Sequence, residues 1–220
     1  MEPFQFLDYI GVAVFAATGA LVASRKQLDL LGFVWFAAFT GIGGGTLRDL
    51  VLGQTPVFWV KEPFYLIVCA LIGLIVFFTA HLVESRYRVL LWLDAVGIAA
   101  YCVMGAAKGL EASGSATVAI VTGMMTATFG GIVRDTIAGE KSVILRPEIY
   151  VTATLVGAAV FVLAARLEMM PPLVEALIAA FAAFAVRAGA LHFGWTMPGY
   201  RARAGRTEAE LQEQGIVRED

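Results

Sequence analysis

The stretch Gly43-Gly44-Gly45-Thr46-Leu47-Arg48-Asp49 returns as Phe129-Gly130-Gly131-Ile132-Val133-Arg134-Asp135, with the last six positions in register at a constant offset of 86. Working outward from it, residues 7–76 map onto the second half without a gap. Leu7-Asp8 falls on Leu93-Asp94, Gly11 on Gly97, Gly19-Ala20 on Gly105-Ala106 and Thr40 on Thr126. Beyond the motif, Gly53 falls on Gly139 and Glu62 on Glu148. Glycines and charges are the residues kept in both copies, and they sit inside segments that are otherwise apolar. In a lipid environment those are costly residues, so their paired retention points to a site at the junction of two halves.

The 220 residues are 59% hydrophobic and only 15% charged, with a mean hydropathy of +0.78. Soluble domains run nearer half apolar and about a quarter charged. Residues 9–24, 30–47, 63–83, 112–133 and 149–165 contain no Asp, Glu, Lys or Arg, while 89–107 contains only Asp94 and 169–186 only Glu175. Each segment is close to the roughly 20 residues a helix needs to cross a bilayer. The expectation is an all-α polytopic membrane protein with seven transmembrane helices in one domain, residues 1–198. Repeat 1 covers about 4–83, repeat 2 about 89–166 and the seventh helix about 172–190, followed by a polar cytoplasmic tail over 199–220. The acidic N-terminus, with Glu2 and Asp8, does not read as a cleavable signal, so the first span is expected to be retained.

A repeat of three spans is odd-numbered, so its second copy enters the membrane from the opposite face. The two repeats are therefore expected to be inverted about a pseudo-two-fold axis in the membrane plane. Basic residues set the orientation. Arg25, Lys26, Arg86, Arg88, Lys141, Arg146, Arg201, Arg203 and Arg206 fall on one side, against Lys61, Lys108 and Arg166 on the other. This places the N-terminus outside and the C-terminus in the cytoplasm of a bacterial or archaeal cell, with the chain in its inner membrane.

Consecutive glycines weaken a helix by about 1 kcal/mol each relative to alanine. Gly43, Gly44, Gly45, Gly130 and Gly131 are thus read as kinks in the second and fifth spans that line a wet pathway. Close helix packing is the competing reading, and is preferred for the single glycines Gly11, Gly19, Gly97 and Gly105. Arg48 and Arg134 are expected in two symmetric clusters, Asp8/Arg48/Asp49 outside and Asp94/Arg134/Asp135 inside, serving as pore charges, gates or latches on helix ends. Thr40 and Thr126 lie one turn before Gly44 and Gly130, where their hydroxyls either replace part of an ion's hydration shell or bond back to their own helix. Trp59, Tyr65, Tyr87, Trp92, Tyr150, Trp195 and Tyr200 read as interfacial anchors.

No catalytic motif is present, so the chain is not read as an enzyme. Cys69 and Cys102 lie within spans and read as small buried hydrophobes rather than a disulfide or metal pair. His81 and His192 have no ligand-like neighbours, and no metal or other cofactor is expected. A net charge of −2 argues against nucleic acid as a partner.

On its doubled glycine-Arg-Asp motif, over about residues 5–190, the chain resembles prokaryotic members of the TRIC family of trimeric intracellular cation channels. It is also similar to the duplicated bacterial domain known as UPF0126 or "glycine transporter". The resemblance implies a homotrimer of seven-helix protomers in the bilayer, each with its own pore lined partly by the second and fifth spans. It implies passive flow of monovalent cations, chiefly potassium, with sodium also passing. The alternative is a secondary transporter of a small zwitterion such as glycine, with Asp8 or Asp94 facing the ammonium group. Inverted repeats serve either function.

Overall fold

The computed structural model describes residues 3–168, 170–199 and 205–214. It is helical, with α1 Pro3–Arg25, α2 Leu30–Val51, a one-turn α3 Phe58–Lys61, α4 Phe64–Thr79, α5 Arg86–Ser113, α6 Ala116–Ile137, α7 Val151–Leu167, α8 Pro172–Phe193 and a short α9 Glu208–Glu213. Six helices are long and apolar enough to cross a membrane, and α7 is a shorter apolar helix. The chain is an all-helical membrane protein.

Helix ends follow local chemistry. Asp29 accepts from the Gly32 N–H at 2.7 Å and opens α2, Pro172 occupies the first turn of α8, and Gly114 at φ +65° ends α5. Left-handed Gly53 and Gly139 sit just past α2 and α6 at matching positions, where residues with a Cβ would be strained. The fourth span is longer than the apolar segment 89–107. α5 begins at Arg86 and runs to Ser113, because Ser85 caps its start and no breaker appears before Gly114. Lys108, taken from the sequence as a span-end residue, is therefore within the helix. Of the tail, Thr207 and Glu210 form a reciprocal capping box that starts α9. Tyr200, Arg201 and Arg203 lie outside the described residues.

Helices α1 and α5 form the centre. α1 packs against α2, α4 and α5, while α5 packs against α1, α6, α7 and α8, and α2 crosses α6. Outward-facing Ile67, Leu71, Ile75 and Phe78 on α4, and Leu177, Ile178 and Phe181 on α8, are exposed. This apolar exterior suits hydrocarbon rather than water.

The central contacts come in reciprocal pairs. Gly11 lies against the Tyr101 ring and Gly97 against the Phe15 ring. Phe15 and Tyr101, which are equivalent positions in the two halves, stack at 5.1 Å between centroids. Such reciprocity is what a two-fold relation between like segments produces.

Candidate functional site

The glycine motifs lie where α2 crosses α6. Both helices stay continuous through them, with Gly43, Gly44, Gly45, Gly130 and Gly131 at the crossing. Their use is close approach. A Cβ on Gly130 would lie 2.6 Å from the Thr40 carbonyl oxygen, and one on Gly44 would collide with the Thr126 carbonyl oxygen. Gly45 makes room for the Phe58 ring, and Gly131 for the Tyr150 hydroxyl. Gly43 faces Gly130 with space for a methyl group, its nearest neighbour being 3.7 Å from a built Cβ.

Thr40 and Thr126 are fully buried. Their hydroxyls donate to Phe36 O at 2.7 Å and Thr122 O at 2.6 Å, one turn back in their own helices. This is the bond back to their own helix, one of the two arrangements the sequence offers; it engages the hydroxyl hydrogen and leaves the oxygen lone pairs uncommitted. The same side chains fill the space left by Gly19 and Gly105.

The two Arg-Asp pairs share one construction. Arg48 Nε donates to Asp49 Oδ1 at 2.9 Å, and Asp49 Oδ2 accepts from the Phe58 N–H at 2.7 Å. Arg134 Nε donates to Asp135 Oδ1 at 2.9 Å, and Asp135 Oδ2 accepts from the Val143 N–H at 3.2 Å. Each aspartate therefore ties its arginine to the loop that follows the helix.

The outer nitrogens of the two arginines differ. Arg134 Nη1 donates to Asp94 Oδ1 at 2.8 Å and to Thr18 Oγ1 at 3.1 Å. Arg48 has no such pair. Asp8 accepts instead from the Tyr65 hydroxyl at 3.1 Å, which corrects the expected Asp8/Arg48 contact. Arg48 Nη2 lies 2.8 Å from Asp49 Oδ1, at an angle that makes no hydrogen bond. Among the described residues neither Nη of Arg48 has a hydrogen-bond partner, although the side chain is fully buried. Its guanidinium lies 5.6 Å from the centre of the Phe58 ring. The physical reason for the difference is the neighbourhood: the position matching Thr18 is Met104, and Tyr65 replaces the aliphatic Val151.

The two ends of the molecule differ correspondingly. At the Asp8 end lies a cavity of about 750 Å³ lined by Asp8, Phe58, Lys61, Glu62, Tyr65, Met104, Lys108, Glu111 and Phe161, among others. At the Asp94 end the equivalent space shrinks to about 10 Å³ among Val22, Tyr87, Asp94, Arg134 and Glu140, room for about one water molecule. Beside it, Arg25 and Lys26 pair with Glu140 at 3.1 and 3.6 Å, Arg25 lies over the Tyr87 ring, and Arg146 donates to the Tyr87 hydroxyl at 2.6 Å.

Several of these participants were not singled out from the sequence as site residues. Lys108 was assigned to a span end, Tyr65 and Tyr87 to the interface, and Glu111 was not considered. Arg187 was overlooked one residue past the run that holds only Glu175, yet it is almost fully buried and bridges to Glu148 at 2.7 Å. The retained Glu62/Glu148 pair was the available signal. Among the described residues no cluster of His, Cys, Asp and Glu is arranged to hold a metal.

Fold and site together define a polytopic helical membrane protein with a buried polar junction between two like segments. A family model described as Glycine transporter matches twice, at residues 5–81 and 91–166. The UPF0126 membrane protein of Vibrio cholerae is 38% identical over 200 residues, covering 87% of this chain and 80% of its own length. The UPF0126 inner membrane protein YadS of Escherichia coli is 40% identical over 156 residues, with 69% and 74% covered. Among solved structures, the TRIC trimeric intracellular cation channel orthologue from Rhodobacter sphaeroides superposes with a TM-score of 0.86 at 50% identity, covering 89% of this chain and all of that one. A second TRIC cation channel gives 0.81 at 30% identity, with 92% and 99% covered. The chain belongs to the glycine-transporter, or UPF0126, family of membrane proteins. Neither that family nor these channels are enzymes.

Proposed function

We propose that the chain is a channel for monovalent cations, chiefly potassium with sodium also passing. It would form a homotrimer in the bacterial or archaeal inner membrane, with a pore through each protomer. The observation that carries this reading is the 50% identity to the R. sphaeroides channel and the superposition on all of that chain and 89% of this one. The wide cavity supports it: Asp8, Glu62 and Glu111 outnumber Lys61 and Lys108 in its lining, a balance that favours cations. Asp8, Arg48 and Asp49 at one end, and Asp94, Arg134 and Asp135 at the other, would act as the charged pore or gate residues of this path. The α2–α6 crossing at Thr40, Gly43, Gly44, Gly45, Thr126, Gly130 and Gly131 would form its narrow waist.

In this reading residues 1–198 form one transmembrane unit of two inverted three-helix repeats plus a seventh helix. The reciprocal Gly11–Tyr101 and Gly97–Phe15 contacts support that arrangement. The N-terminus would lie outside, and residues 199–220 would form a cytoplasmic tail. A carrier for a small zwitterion is the second reading, favoured by the unbonded Nη atoms of buried Arg48, which suit a carboxylate.

Reconstitution into a planar bilayer separates the two. Unitary potassium currents are expected for the channel. Saturable glycine uptake into liposomes, without resolvable unitary current, would overturn it in favour of the carrier.

A further inference from the structure

The duplication supplies the parts for two identical latches, and the structure assembles only one. At the Asp94 end Arg134 reaches Asp94 and Thr18, and Arg25 pairs with Glu140 above them. Three changes undo the copy at the Asp8 end. Met104 stands where the latch needs the hydroxyl of Thr18. Tyr65, in place of Val151, takes Asp8. The strap pair Arg25 and Glu140 is replaced by Glu111 and Gln54, which have no opposite charges to bring together. The cavity volumes, about 10 Å³ against about 750 Å³, follow the same division.

We propose that the protomer has a single working gate, at the Asp94 end, and that Tyr65 and Met104 hold the Asp8 end open by disabling its duplicate. Thr18, Glu140, Tyr65 and Met104 are thereby assigned as gating residues. The inference deepens the channel reading and rests on it. A carrier must close each end in turn and needs two competent gates, whereas a channel needs one. Arg48 is the relict of the disabled latch, which accounts for its unbonded Nη atoms.

The test is accessibility to a charged, membrane-impermeant thiol reagent, methanethiosulfonate ethyltrimethylammonium, on reconstituted protein. Cys69 and Cys102 are both buried and are replaced by alanine. Ala107→Cys reports the Asp8-end cavity and Val22→Cys the sealed end. In the parent, Ala107→Cys is labelled and Val22→Cys is protected. Thr18→Val removes a hydrogen bond to a charged group, worth about a tenfold change in an equilibrium, so the labelling rate of Val22→Cys is expected to rise about tenfold. Thr18→Ser keeps the hydroxyl and leaves Val22→Cys protected. Glu140→Gln releases the same end from the surface and serves where Thr18→Val does not fold. Met104→Thr with Tyr65→Phe restores the missing latch, and labelling of Ala107→Cys is expected to fall about tenfold.

If Val22→Cys stays protected in the folded Thr18→Val or Glu140→Gln protein, or Ala107→Cys is labelled at the parent rate in the Met104→Thr/Tyr65→Phe protein, the proposal is overturned. The readout needs no permeant ion. Failure of the channel reading alone would show as absent cation current with the labelling pattern intact.

Discussion

Two glycines of the motif, both at the α2–α6 crossing, should respond in opposite directions to the same substitution. In Gly130→Ala the new methyl group lies 2.6 Å from the Thr40 carbonyl oxygen. That oxygen belongs to the backbone of α2 and cannot swing aside as a side chain would, so the two helices must separate. Overpacking of this kind costs about 1–3 kcal/mol, and the rigid neighbour puts it near 3. The gain from replacing a mid-helix glycine is about 1 kcal/mol, leaving a net loss near 2. In Gly43→Ala the nearest atom is the Gly130 Cα at 3.7 Å, an ordinary van der Waals contact, so the gain of about 1 kcal/mol stands alone. At about 2–4 °C per kcal/mol for a chain of this size, Gly130→Ala should lower the melting temperature by about 4–8 °C, and Gly43→Ala should raise it by about 2–4 °C. The assay is thermal aggregation in mild detergent followed by fluorescence-detected gel filtration. If Gly130→Ala is as stable as the parent, or Gly43→Ala is the more damaging of the two, α2 and α6 are not in backbone contact, and the glycines serve a bend instead.

Other perturbations test the asymmetry and the buried charges. Arg134→Gln strands Asp94 and Asp135 in a buried site and should cost about 3–5 kcal/mol; Arg48→Gln strands only Asp49 and should cost measurably less, as read by melting temperature. Arg187→Gln breaks the 2.7 Å bridge to Glu148, and because Glu148 keeps partial exposure the loss should lie near the lower end of that range, about 3 kcal/mol, with the Arg187→Gln/Glu148→Gln pair recovering part of it. Tyr101→Phe removes the hydroxyl that donates to the Gly41 carbonyl at 2.9 Å; it should cost about 1 kcal/mol and leave the fold intact by gel filtration.

The apolar blocks and the 86-residue offset made most of the helices legible, because a bilayer imposes a length and an interruption by charge that survive without any packing information. Span ends were less legible. Lys108 and Glu111 look like loop residues by composition, but a helix continues through long charged side chains wherever a cap and a breaker are missing, as α5 does to Gly114. The glycine cluster was legible as a special place, while the contacts it makes were not. Propensity prices Gly43–Gly45 as a weak helix, yet the backbone hydrogen bonds have no alternative partner in an apolar setting, so the helix persists and the missing Cβ atoms are used for contact. Thr40 and Thr126 follow the same logic, their hydroxyls turning back to carbonyls one turn away.

The deepest error in reading the sequence was to carry its symmetry through to the site. Equal motifs suggested equal clusters, and the motif residues do behave alike: both aspartates hold an arginine with one oxygen and a loop N–H with the other. What separates the ends lies outside the motif, at positions where the copies differ. Thr18 against Met104, Val151 against Tyr65, and Arg25 with Glu140 against Glu111 with Gln54 are each unremarkable substitutions in an apolar segment or a loop. They acquire meaning only when folding brings them to the two ends of the molecule that hold the equivalent arginines. A duplicated chain thus records its scaffold in what the halves share. It records its direction in what they do not, and the differences at the two ends accompany a wide cavity at one and a closed one at the other.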